Sequence, residues 1–331
     1  MTTIAYAAGC HQDGGIYSFT VQGDGQLLPL EKTALPYPHY LAWENAQMTV
    51  LQKQPFGDMF HGSGVLTYAI LADGRLTRPG AVAGTGGNCA AHLCVRDGAA
   101  YIANYLSGSV SLVRDGRLVR VVTHSGHGIH PQRQEAPHTH QALLTPDGKY
   151  VSVVDLGLDR IFFYDLELNP VREVSVKNAG AGVRHLAYAG DYAFCANELG
   201  ASVTVFRYHD ASLEELDTYP TLPGGYRSPN GNVCAAIRTA GDGRFVVVSN
   251  RGHNSLACFR HTEGKLECYG IIPCGGDFPR DFAFTPDEKF LYCCNERSHD
   301  VTGFSWNDGV LTPLPVRAAV PGALNIIFRE I

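Results

Sequence analysis

Five times in this chain an apolar stretch runs into an Asn or Asp. An aliphatic residue follows six positions on, and an aromatic residue or Val nine on. The sets are Asn104/Val110/Val113, Asp155/Ile161/Tyr164, Asn197/Val203/Phe206, Asn250/Leu256/Phe259 and Asn295/Val301/Phe304. A repeat of about 40–55 residues that holds several short strands per unit predicts a β-propeller rather than a helical solenoid. This constrains function as well as fold. A ring of blades brings equivalent positions from distant parts of the chain around one central mouth.

Each unit reads as four strands. In the last full repeat DFAFT (281–285) is the inner strand, FLYCCN (290–295) the second and VTGFSW (301–306) the third, with a fourth after NDG. Turn signals separate strands at LTPDGKY, TAGDGRF and VRDGAAY. The same grammar recurs near the N-terminus, where AWENAQMTVL precedes VLTYAI and TIAYAAG precedes IYSFTV, which makes seven units. The first unit lacks an inner strand, and the last residues, GALNIIFREI, resemble only an inner strand. The reading is therefore an all-β, seven-bladed β-propeller over residues 1–331 as a single domain, its C-terminal strand closing the ring by completing the N-terminal blade. Closure of that kind removes an open sheet edge. A β-sandwich pair with a stray C-terminal strand fits the regular spacing less well.

Composition narrows the partners. At 45% hydrophobic and 18% charged residues the chain has ample material for a core and no disorder signature. A net charge of −6 without any Lys- or Arg-rich run argues against nucleic acid or an anionic membrane. A small anionic substrate stays open, because a local arginine cluster can dominate one site. No secretory signal is visible in MTTIAYAAGCHQDGG, and no apolar run exceeds strand length. Ten cysteines without a CxxC pair suit a reduced chain, so the expected location is cytoplasmic.

Neighbouring strands in a blade are antiparallel, so the start of the inner strand and the end of the second strand lie on one face of the disc. Counting back from each repeat's Asn or Asp places His39, His140, Arg184 and Arg280 at inner-strand starts. Tyr105, Glu198, Arg251 and Glu296 follow the second strands. Any one such charged side chain would pass as solvated surface. Three arginines converging on one mouth instead ask for an anion, since the guanidinium fork donates in pairs to phosphate or carboxylate.

Several segments resemble the seven-bladed lactonase family, which includes the propeller-type 6-phosphogluconolactonases and the fungal carboxy-cis,cis-muconate cyclases. They are NYLSGSVSL (104–112), PHTHQALLTPDGKYVSVVDLGLDRIFFY (137–164), GVRHLAYAGDYAFCANELGASVTVF (182–206), SNRGHNSLACF (249–259) and FPRDFAFTPDEKFLYCCNERSHDVTGF (278–304). The resemblance implies His140, Arg184, Glu198 and Arg251 as catalytic-cleft residues, with no cofactor and no metal. It departs at Val183, where the family usually has Pro, and in QPFGDMFHGSG (54–64), which makes the second blade irregular.

Hydrolysis of a sugar lactone, 6-phosphogluconolactone foremost, is the expected reaction. Either Glu198 or His140 would serve as general base. Arg184 and Arg251 would hold oxyanion and phosphate, with His39, Tyr105, His138, Arg280 and Glu296 as further substrate contacts. A muconate-type lactonizing cycloisomerase would use the same cluster to clamp carboxylates, and a non-catalytic binding platform is a third reading. The loop THSGHGIHPQRQEAPHTH (123–140) matches no zinc spacing; it reads as a connection draped over the mouth, with His138 and His140 facing ligand and His124, His127 and His130 solvated. Asp159, Arg160 and Asp281 read as intrablade ion pairs, and His185 and His253 as pointing away from the mouth. Glu296 would orient Arg251 or Arg280.

Overall fold

The computed structural model of the chain describes residues 1–53, 56, 62–226 and 231–331. Most of the irregular second-blade stretch 54–64 lies outside the described residues. The described strands form seven four-stranded antiparallel sheets. Six sheets are sequential. The seventh joins Ala323–Glu330 to Thr3–Gly9, Gly15–Val21 and Leu27–Ala34, so the C-terminal strand completes blade one as expected.

Burial falls from the centre outward and follows composition. The second strand of blade six, Phe245–Arg251, is buried at every residue because neighbouring blades cover both its faces. The outermost strand of blade four, Pro170–Ser175, is mostly exposed and carries Arg and Glu. The repeated Asn fixes the second strand to the third. The Asn197 amide donates to Ser202 Oγ at 2.9 Å and Thr204 Oγ1 at 2.8 Å. Asn104 binds Ser109 and Ser111 in the same way, at 3.2 and 2.7 Å. The segment crossing from the preceding blade must come close to this Asn, and a Cβ on Gly276 would lie 2.3 Å from the Asn295 side chain. The repeat is thus a structural clamp whose polar residue marks where the mouth begins.

The inner strands share one irregularity. In blade four Thr139 pairs with Asp155 and Gln141 with Val154, leaving His140 as an extra residue in the ladder. The same skip leaves out His39, Ala91, Arg184, Arg280 and Leu324 in blades two, three, five, seven and one. Blade six skips Ala235 and Ala236. A bulge re-aims its side chain and bends its strand. Seven bulges at one level make a ring of out-of-register side chains around the channel.

In blades four, seven and one the residue after the bulge (Gln141, Asp281 and Asn325) ties its blade to a neighbour. Asp281 of blade seven accepts from Arg238 of blade six at 2.7 Å and from the Asn325 amide of blade one at 2.7 Å. Asn325 Oδ1 in turn accepts the Leu41 amide of blade two at 3.0 Å. Asp281 therefore ties separate blades rather than forming the expected intrablade pair, because its position faces the channel, where only other inner strands are in reach. Asp159 also departs from expectation. It accepts the amides of Gly180 and Gly182 at 2.6 Å each, since it closes the turn leading into blade five. Arg160 does pair within its blade, with Glu173 at 3.5 Å.

Asn325→Ala removes the closing link and leaves the Leu41 amide buried without a partner. We expect it to cost about 3 kcal/mol of unfolding free energy in a urea titration. A loss below about 0.5 kcal/mol would show that the belt contributes little to closure.

Candidate active site

On the bulge side of the disc a cavity of 330 Å³ is lined by His39, Lys53, Cys89, Ala91, Tyr105, Leu106, Arg133, His140, Glu198, Val233, Arg251, Phe278, Arg280 and Glu296. Bulge residues and second-strand ends supply most of this wall, as antiparallel geometry requires. A larger cavity of 660 Å³ opens among the later residues of the inner strands, including Leu143, Leu144, Ala187 and Thr239. Its lining is largely apolar, and the one charged side chain among its described lining, Arg238, already meets Asp281. Reactive groups concentrate in the smaller cavity.

Glu198 is the hub. Its backbone is held between blades, its amide donating to Gly182 O at 2.7 Å and its carbonyl accepting from Cys234 at 3.2 Å. Its Oε2 meets Arg184 Nε at 2.9 Å and Arg251 Nη2 at 2.7 Å, and its Oε1 takes Arg133. Burial by itself would raise the Glu198 pKa, but Arg251, Arg184 and Arg133 hold it well below the usual carboxylate range. The group is a permanent anion and a poor proton acceptor. Burial, then Arg251 and Arg280, pulls the Arg184 pKa down to about 9, so Arg184 remains a cation at neutral pH.

Around the cavity several polar atoms lack partners. Arg184 Nη1, Arg251 Nε, His140 Nδ1 and His39 Nδ1 are buried and meet no hydrogen-bonding group. Such groups cost free energy unless a ligand or water satisfies them. Burial, with Arg184, Arg280 and Arg251 nearby, holds the His140 pKa well below 6.5, so its imidazole is neutral. Arg251 also donates to Cys234 O at 2.9 Å and lies 5.2 Å from the Phe278 ring, which fixes its plane.

The structure places His140, Glu198, Arg251, His39, Tyr105, Arg280 and Glu296 on the cavity wall, and Arg184 against Glu198. Glu296 faces Arg280 at 3.7 Å rather than Arg251. His138 does not line the cavity. It is buried with its ring stacked on Tyr105 at 4.6 Å, its nitrogens occupied by Tyr105 O and Glu135. Its backbone amide is drawn inward to Asp155 at 2.8 Å, which turns the side chain beneath Tyr105 instead of toward the opening. His124 is not solvated either: Asp155 Oδ2 at 2.6 Å and Tyr164 Oη at 2.9 Å hold it. The loop does reach the mouth, but through Arg133. His185 lies away from the cavity wall, its ring 5.0 Å from His140 and 5.4 Å from His92. His253 binds Ser255 Oγ at 2.7 Å. No group of three or more His, Cys, Asp or Glu among the described residues is placed to hold a metal ion.

Two charged wall residues escaped sequence reasoning. Arg133 sits in an irregular loop that carries no periodic signal. Lys53 follows Gln52, which occupies the register position of Asn104 or Asn197 in other blades and would have disclosed it. With these two, five cations (Lys53, Arg133, Arg184, Arg251 and Arg280) face two carboxylates, Glu198 and Glu296, in a protein of net charge −6.

Residues 4–328 match the family model of the seven-bladed β-propeller lactonases. The 6-phosphogluconolactonase of Bacillus subtilis (strain 168) is 34% identical over 335 residues, covering 95% of this chain and 94% of that protein. Among solved structures, a protein from Lactobacillus plantarum superposes with a TM-score of 0.89 at 30% identity over 100% of both chains. The periplasmic gluconolactonase PpgL of Pseudomonas aeruginosa gives 0.87 at 25% identity over 99% of both.

Four buried histidines, His39, His92, His140 and His185, have pKa values held well below 6.5, in each case chiefly by burial. The unfolded chain binds protons at these sites near pH 6.5 while the folded one does not. Stability should therefore be flat above about pH 6.5 and fall below it, by up to about 1.4 kcal/mol per pH unit for each histidine. The Glu198 contribution is lost only further down, below the ordinary carboxylate range. Thermal unfolding at pH 7.5 and 5.5 checks this, and an unchanged Tm would contradict it.

Proposed function

The chain belongs to the seven-bladed β-propeller lactonase family and is a lactone-hydrolysing enzyme, and we propose that its substrate is 6-phosphogluconolactone, opened to 6-phosphogluconate in the 330 Å³ mouth. The observation that carries this reading is the cationic excess of that mouth beside a neutral histidine. A phosphate-bearing lactone supplies the missing negative charge, whereas an uncharged lactone leaves buried guanidinium donors unanswered. The 6-phosphogluconolactonase relative and the gluconolactonase neighbour indicate that this fold serves lactones with and without phosphate.

In the proposed mechanism the His140 imidazole takes a proton from water as its oxygen bonds to the lactone carbonyl. The unpartnered Arg184 Nη1 and Arg251 Nε receive the developing oxyanion. Collapse breaks the carbonyl-to-ring-oxygen bond, and His140 returns the proton to the departing oxygen. The new carboxylic acid ionises against the same arginines. Glu198 takes no proton; it fixes the arginines at the angle the oxyanion requires. A cycloisomerase would use the same His140 to move a proton at carbon; what favours hydrolysis is the lactonase family match and the 6-phosphogluconolactonase relative. The ten cysteines, none in a disulfide, suit a reducing compartment, and we place the enzyme in the cytoplasm.

Arg251→Ala should lower kcat on fresh 6-phosphogluconolactone at least about a hundredfold while cooperative unfolding persists. His140→Gln should lose about 10²–10⁴-fold. Acid release followed with a pH indicator reads both. Wild-type protein that does not exceed the spontaneous rate would overturn the substrate assignment, and an unchanged rate in either variant would remove that residue from the mechanism.

A further inference from the structure

The cations of the mouth are not evenly arranged around the ring. Inner strands contact one another in blade order. Tyr105 belongs to blade three, His140 to four, Arg184 and Glu198 to five and Arg251 to six, so the Glu198 hub occupies one arc. Arg280 and Glu296 belong to blade seven and His39 and Lys53 to blade two, with Cys10 of blade one between them. This second arc faces the first across the opening.

The two arcs differ in how far their charges are answered. Arg133, Arg184 and Arg251 all meet Glu198. Arg280 stands 3.7 Å from Glu296, too far for a hydrogen bond, so its donors stay available. Lys53 meets no carboxylate among the described residues, and it lies near enough to His39 and Cys10 to perturb the titration of both. His39 is 4% exposed, and its Nδ1 has no partner. An ammonium that meets no carboxylate among the described residues, a guanidinium held only by a 3.7 Å ion pair and a free imidazole nitrogen together suit a tetrahedral oxyanion better than a planar carbonyl.

We infer that the mouth holds two subsites: Lys53, Arg280 and His39 bind a phosphate at the end of the substrate away from its carbonyl, while the opposite Glu198 arc performs the chemistry. The inference rests on the phospholactone reading and adds to it which residues select the phosphate. Lys53 is then a specificity determinant that reaches no reacting atom.

Lys53→Met and Lys53→Arg, assayed beside wild type on fresh phosphorylated lactone and on unphosphorylated δ-lactone, test it. Lys53→Met should cut kcat/KM on the phosphorylated substrate at least tenfold more than on the unphosphorylated one, mainly through KM, and Lys53→Arg should restore most of the difference. Equal losses on the two substrates, or none, would overturn the subsite and leave the lactonase reading standing. Should wild type hydrolyse neither lactone, the functional reading fails, and calorimetric titration with inorganic phosphate decides the subsite alone. Binding weakened at least tenfold by Lys53→Met supports it; equal binding, or none by wild type, overturns it.

Discussion

The bulge near the start of each inner strand governs the rest of this molecule. Regular pairing would alternate that side chain against neighbouring strands, but an extra residue in the ladder frees it to face the opening. Because the skip recurs at one level in all seven blades, His39, His140, Arg184 and Arg280 enter a common space from four separate blades. In blades seven and one the next residue along the strand is thereby committed to the channel, where Asp281 binds Arg238 of blade six and Asn325 of blade one. Closure and site are consequences of the same displacement.

Electrostatics explains why this arrangement is suited to chemistry rather than only to binding. Glu198 offsets three guanidiniums that would otherwise repel one another, and it leaves one buried donor on each of Arg184 and Arg251 without a partner. In the proposed mechanism this is preorganisation: the dipoles are set before substrate arrives and need not reorient as charge develops. Burial, with the same cations beside it, keeps His140 neutral and so able to accept a proton. One buried carboxylate therefore sets the orientation of the arginines, and burial together with the arginines sets the protonation state of the histidine.

Much of this was legible in the sequence because a propeller repeats. The Asn of four units is a real clamp to the third strand, while Asp155 instead holds His124 and the His138 amide, and counting from this position located bulge positions such as Arg184 and strand ends such as Glu198 without knowledge of the bulge itself. Legibility stopped where the repeat did. Arg133 comes from a loop whose path depends on Gln134 and its bond to Leu156 O at 2.9 Å, a contact no spacing encodes. Lys53 was hidden because Gln52 replaces the marker residue. The partners of Asp281 lie in other blades, and a pattern read within one unit carries no signal about its neighbours. His138 follows strand alternation, but Asp155 overrides it by capturing its backbone amide.

The most direct test is a crystal structure with 6-phosphogluconate bound. The account predicts the product's carboxylate against Arg184, Arg251 and His140, with its phosphate at Lys53 and Arg280. Product found instead in the 660 Å³ cavity at the other end of the channel, or a mouth without ligand at saturating concentration, would contradict it.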